Sequence, residues 1–107
     1  MNVLENVPYR EEGMGRRRPV DEKYLQIMQI ALKPGQSVPK HQANSNVHLL
    51  VLKGSLSVNL NGEENNLVEG DLLPVAFETS MLIKNIGNEN TTFLVLKTPN
   101  PLEMLKK

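Results

Sequence analysis

The sequence has no cysteine and no tryptophan, and aromatic residues fill only 4% of its 107 positions. Without cysteine there is no disulfide scaffold, no thiolate metal site and no cysteine nucleophile. Its charge has no dominant sign either, with 12 Lys and Arg against 12 Asp and Glu. A surface built to follow a phosphate backbone carries a basic excess, so composition gives nucleic-acid binding no support. No apolar run approaches the roughly 20 residues that span a bilayer as a helix, so no membrane contact is expected. The opening residues MNVLENVPYREEG bring acids early and hold no continuous apolar stretch, so they are not expected to act as a signal peptide. A cytoplasmic location is the default expectation. A chain of this length supports one domain and one core.

What is present changes character at Tyr24. Residues 1–23 mix five acidic and five basic side chains with Pro8, Gly13, Gly15 and Pro19, without sustained periodicity. They read as an extended N-terminal arm. Within it, Arg16-Arg17-Arg18 stands among Glu11, Glu12, Asp21 and Glu22. The run reads as a solvated, self-neutralised surface, the alternative being a contact with phosphate or another anionic partner.

Beyond the arm, Leu25–Leu32 is apolar and β-branched and ends at the turn signal Lys33-Pro34-Gly35. Asn46–Lys53 is nearly continuously apolar, too short for a stable helix, and stops at Gly54. Leu56, Val58 and Leu60 then alternate with Ser55, Ser57, Asn59 and Asn61, the period of a strand with one buried face. Asn61-Gly62 is a strong hairpin signal, because both residues tolerate the positive φ of a type I′ turn. Short strand patterns follow at Leu67-Val68, Leu72–Val75, Met81–Asn85 and Thr91–Thr98, separated by turn-rich patches. Seven to nine short strands with frequent turns and no intervening helix predict an all-β sandwich or barrel. Residues 24–99 form the expected barrel, and 100–107 a C-terminal tail or single helical turn.

Two segments carry a family resemblance. Gly35-QSVPK-His41-Gln42-Ala43-NSN-Val47-HLLVLK-Gly54 is similar in frame to the first cupin motif, G-x5-H-x-H-x3–4-E-x6-G. Gly70-DLLPV-Ala76-Phe77-Glu78-TS-Met81-LIK-Asn85 resembles the second, G-x5-P-x-G-x2-H-x3-N, and 15 residues separate the two. The resemblance extends over residues 24–99 and implies a cupin-type double-stranded β-helix, or jelly-roll barrel. Metal-binding cupins place two histidines, a carboxylate and a third histidine at positions that here hold His41, Ala43, Val47 and Met81. A stable site for Zn, Fe, Mn or Ni needs about three well-placed donors, and Ala and Val donate nothing. The sulfur of Met81 is a soft donor that suits Cu(I). No metal or other cofactor is therefore expected in the usual place. The alternative is a divalent transition metal on His41, His48 and Glu78, which requires a bulge near Asn44–Asn46 to turn His48 inward.

With this framework His41, Ala43, Val47, Val51, Met81 and Ile83 are expected to project into the barrel, giving apolar walls with one imidazole handle. Such a lumen suits a small organic ligand, and it equally suits a filled core. His41 is the one candidate general base. No nucleophile constellation accompanies it, and the Glu11-Glu12 and Glu63-Glu64 pairs are expected in surface loops, so no catalytic residue is assigned. Three roles stay open: a non-metal ligand-binding, sensor or accessory module; a cupin enzyme of isomerase, dioxygenase or cyclase-like kind using His41; or a structural protein with a filled barrel. The resemblance also implies a homodimer. His48, Leu50 and Leu52 share one outward face, and an apolar strand buried on both sides fits packing against a partner.

Overall fold

A computed structural model describes residues 1–106. It is all-β: nine strands and one short C-terminal helix. The strands are β1 (Gly15–Asp21), β2 (Gln26–Leu32), β3 (Ser37–Gln42), β4 (Asn46–Lys53), β5 (Ser55–Leu60), β6 (Glu63–Val68), β7 (Leu72–Val75), β8 (Ser80–Lys84) and β9 (Thr91–Thr98), followed by α1 (Pro101–Met104). They form a five-stranded sheet in the order β1-β2-β9-β4-β7 and a four-stranded sheet in the order β3-β8-β5-β6. All strand pairs are antiparallel. The two sheets face each other across one apolar core that includes Leu32, Leu49, Leu56, Val58, Ile83 and Phe93. This is the jelly-roll arrangement expected from the strand pattern.

Asn61 and Gly62 adopt φ of 50° and 92° in the β5–β6 turn, as their sequence signal requires. In β4, Val47, Leu49 and Val51 are buried while His48 is exposed and Leu50 and Leu52 are half-buried. Period-2 alternation thus survives inside a nearly continuous apolar run, and it sends His48 outward. Gly54, at the end of β4, has φ +81°. A Cβ there would lie 2.3 Å from Thr91 Oγ1 and 2.6 Å from the Asn90 carbonyl oxygen, so the chain turns where no side chain fits. Asn85 joins the two motif regions. Its carbonyl accepts from Gly35 N–H at 2.9 Å, and its own N–H donates to the Gln36 carbonyl at 3.0 Å.

Several expectations change. Residues 15–21 of the supposed arm form edge strand β1, so the barrel starts before residue 24. Three arginines and a proline hid it. An edge strand pairs on one side only, and it tolerates charge and proline there. The register shifts between Arg17 and Val20, where Pro19 has no N–H for the ladder. The arginines divide: Arg16 and Arg18 are exposed, as expected of a solvated surface, while Arg17 is half-buried. Arg17 reaches across the sheet to the N-terminal segment: its Nε donates to Gln29 Oε1 at 2.8 Å, and its guanidinium NH groups donate to the carbonyls of Asn6 at 2.9 Å, Glu5 at 3.0 Å and Val3 at 3.3 Å. Arg18 pairs with Asp21 at 3.4 Å. Glu63 and Glu64 lie on β6 rather than in a loop, and the Glu64 carboxylate accepts from the Ser57 hydroxyl and from Asn59 Nδ2. By contrast, the single helical turn, one of the two expectations for 100–107, is present as α1, with the Asn100 side chain capping it by accepting from Leu102 N–H at 3.1 Å. Lys107 lies outside the described residues.

Candidate ligand site at the barrel mouth

The register of the five-stranded sheet builds the interior in rows, since residues directly opposite one another share a face. The outermost row runs Asp21–Gln26–Lys97–Val47. Beneath it lies Met28–Val95–Leu49, and beneath that Ile30–Phe93–Val51. The facing sheet contributes His41 opposite Met81 and, deeper, Val38 opposite Ile83. The rows do not close at the top. A cavity of about 560 Å³ opens there, large enough for a small organic molecule.

Of the residues expected to line this space, His41, Val47, Met81 and Ile83 do so. Ala43 and Val51 do not. Val51 is buried in the deepest row beside the fully buried Phe93, and neither lines the cavity. Ala43 is buried where β3 leaves its sheet: its N–H donates to the Thr79 carbonyl at 2.8 Å, and its carbonyl accepts from Glu78 N–H at 2.8 Å. It belongs to the wall and not to the lumen.

His41 sits at the mouth, exposed, with Nδ1 3.0 Å from the Pro39 carbonyl oxygen. A carbonyl only accepts, so Nδ1 is the donor in this contact. The alternative metal set fails on geometry. His48 is on the outer face of β4, and Glu78 occupies the β7–β8 turn with φ 71°. No bulge falls at Asn44–Asn46, because β4 pairs in regular register with β9 from Asn46 through Val51. Among the described residues no group of three or more His, Asp or Glu side chains could hold a metal ion. The donor set at the usual cupin positions does not fit one either, since His41 stands there with two aliphatic side chains and a thioether.

The rest of the lining was not anticipated. Met14, Arg16 and Arg18 come from the β1 region, Gln26, Met28 and Ile30 from β2, and Val95 and Lys97 from β9. Each group steps by two residues, the strand period. The first lay in the segment read as an arm. The others were visible: Lys97 is a lone charge on the inward parity of an apolar strand, and Gln26 holds the same parity on β2. The C-terminal turn completes the rim. Asn100 Nδ2 donates to Asp21 Oδ1 at 2.7 Å and to the Glu22 carbonyl at 3.2 Å, which holds Pro101 and the exposed Leu102 at the opening. Two neighbouring carboxamides favour the ionised form of Asp21: hydrogen bonds from Gln26, then Asn100, hold its pKa below the usual range. Burial, with repulsion from Arg18 second, pushes the Lys97 ammonium pKa down.

Comparison with known proteins agrees with this architecture. No protein-family model matches the chain. It is 38% identical over 86 residues to the uncharacterized protein MJ0764 of Methanocaldococcus jannaschii, covering 79% of this chain and 74% of that protein. The crystal structure of that archaeal protein, described as an RmlC-like cupin with a double-stranded β-helix fold, superposes with a TM-score of 0.78 at 32% identity, over 91% of this chain and 92% of the other. A double-stranded β-helix protein of unassigned function from Klebsiella pneumoniae gives a TM-score of 0.85 at 20% identity over 94% and 89% of the two chains, a likeness of fold alone.

Proposed function

Because this chain belongs to the cupin family, we propose that it is a cupin that binds a small organic ligand without a metal, as a sensor or accessory module. One observation carries this reading. Where the family frame would hold metal donors, the chain has Ala43, Val47 and Met81, yet the barrel stays open above Met28, Leu49 and Ile83. A protein that had only lost its metal site gains stability by filling such a space, since an unfilled apolar volume forfeits packing. The methionines in the wall suit a binding role, because unbranched thioethers adapt to the shape of a guest.

The test has two arms. Equilibrium dialysis against Zn2+, Mn2+, Fe2+ and Ni2+ is expected to leave well under one equivalent bound. Neutral apolar probes such as 1-hexanol are expected to raise the unfolding temperature of the wild type. They are expected to lose that effect in Met28→Trp, where an indole occupies the cavity from a half-buried position. Tight binding of one metal equivalent, or no probe uptake at all, overturns the reading.

We further propose that the chain pairs with a second copy through the outer face of the five-stranded sheet. Leu50, Leu94 and Leu72 stand side by side there, with Leu96 and Ile27 in the next row beside His48. Leu72 is exposed and the others only half-buried, an apolar surface of the kind that joins subunits. Sedimentation is expected to give about twice the 12.0 kDa of one chain. Leu50→Lys is expected to return the monomer, and a wild-type monomer at micromolar concentration overturns the pairing.

A further inference from the structure

The chain as a whole carries no net charge, but its cations are not evenly spread. Around the cavity stand Arg16, Arg18, Lys40 and Lys97 against the single carboxylate of Asp21, a local charge of +3 with histidine neutral. Asp21 is already engaged: Oδ1 accepts from Gln26 at 3.2 Å and Asn100 at 2.7 Å, and Oδ2 accepts from Arg18 at 3.4 Å. Among the described residues Arg16, Lys40 and Lys97 form no ion pair.

Lys97 is the informative member. Its register neighbours are Val47 and Gln26, both buried, and its own side chain is half-buried. Removing an ammonium from water without a counter-charge is costly, and a methionine of similar length would close the wall better. Arg18 at the same rim adds like-charge repulsion. An arrangement that disfavours itself when empty is repaid by an anion arriving with its own apolar body.

The geometry points to a small organic acid as the ligand, its carboxylate held by Lys97 and Arg18 and its hydrocarbon body seated against Met28, Leu49, Met81 and Ile83. The guanidinium fork of Arg18 matches a planar carboxylate, and the Lys97 ammonium supplies a point charge at the boundary between wet rim and dry floor. This inference rests on the cavity being a ligand site, and it adds the chemical class of the guest.

The test compares straight-chain carboxylates from butanoate to octanoate with the amides of equal length, by titration calorimetry at low salt. Carboxylates are expected to bind at least about tenfold more tightly than their amides, the size of one charge-assisted hydrogen bond. Lys97→Met and Arg18→Gln are each expected to remove most of that preference while keeping amide binding. Arg10→Gln, at an exposed arginine outside the cavity, is expected to leave it unchanged. Methyl NMR locates the guest, because Met14, Met28 and Met81 line the cavity while Met1 and Met104 do not. Only the first three signals are expected to shift on octanoate binding. Equal affinity for acids and amides overturns the inference and leaves a neutral ligand site standing, whereas shifts confined to Met1 and Met104 place the guest outside the cavity and overturn the ligand site together with the inference. Failure of both series to bind overturns the ligand site itself.

Discussion

Asn85 is 1% exposed and makes three side-chain hydrogen bonds between the end of β2 and the turn before β9. Its Nδ2 donates to the Leu32 carbonyl at 3.1 Å and the Glu89 carbonyl at 2.8 Å, and its Oδ1 accepts from Gly87 N–H at 3.0 Å. Asn85→Ala removes all three and leaves backbone groups short of partners in a site too closed for easy hydration. At roughly 0.5–1.5 kcal/mol per bond, with a penalty for each orphaned group, the loss is about 2–4 kcal/mol. For a domain of this size that corresponds to a fall in Tm of roughly 10–20 °C. Urea and thermal unfolding followed by circular dichroism measure both.

Asn85→Asp sharpens the test. It keeps the acceptor for Gly87 but sets a buried carboxylate against two carbonyl oxygens, so its pKa in the folded protein rises above the unfolded value of about 3.9. The folded state then holds a proton that the unfolded state has released. Stability therefore falls as pH rises through that window, and the penalty is complete above the folded pKa. Asn85→Asp is expected to be less stable than Asn85→Ala at neutral pH and to recover in acid. A loss below about 1 kcal/mol for the alanine variant, or an aspartate variant indifferent to pH between about 4 and 8, refutes the reasoning.

Three further outcomes follow from the packing. Gly54→Ala forces a left-handed conformation on a residue with a Cβ and drives that carbon against Thr91 and Asn90, so chemical unfolding should register a loss of about 2–4 kcal/mol. Unchanged stability would mean that the β4–β5 corner relaxes freely. Arg17→Ala frees the carbonyls of Glu5 and Asn6 and leaves Val3 held only by Gln29 Nε2, and limited proteolysis should then cut the first dozen or so residues faster while the barrel survives; equal cleavage rates in wild type and variant would contradict this. Lys97→Met should raise Tm at pH 7, because the depressed pKa means that the protonated amine opposes folding below its folded value. That penalty fades as pH rises toward the ordinary lysine pKa of 10.5, so the two proteins should converge there. A variant less stable than wild type at pH 7 would show that Lys97 has a structural partner.

The sequence was legible wherever burial imposed a period. Strands β4 and β9 emerged with their observed bounds, and so did the Asn61-Gly62 turn, because hydrophobic alternation and positive φ both leave local marks. His41, Val47, Met81 and Ile83 followed from the motif frame. Strand β1 was hidden because an edge strand does not need an apolar signature, and Pro19 argued against pairing until the register shift accommodated it. Val51 was misplaced for a different reason. Parity assigns a side chain to a face but not to a depth, and Val51 lies in the deepest row, beside the buried Phe93, outside the cavity lining. Lys97 carried a local mark as the lone inward charge of β9, but its grouping with Arg16, Arg18 and Lys40 did not, because they come from strands distant in sequence and a zero net charge conceals any local separation.

The short irregularity between Arg17 and Val20 sets the phase of β1 against its neighbour. With the present phase, the middle arginine of the triplet secures the N-terminal segment on one side while its two neighbours stand at the opening on the other. Pairing β1 without that irregularity would reverse the assignment without altering the triplet, since Arg17 would then stand opposite Ile30, and Arg16 and Arg18 opposite Ala31 and Gln29. It would leave one arginine at the opening and release the segment that Arg17 now secures. Two chains with the same three arginines could then differ in what they admit, and a comparison of composition would not separate them. The presence or absence of this irregularity in β1 is therefore the feature to follow when relatives of this chain are sorted by ligand.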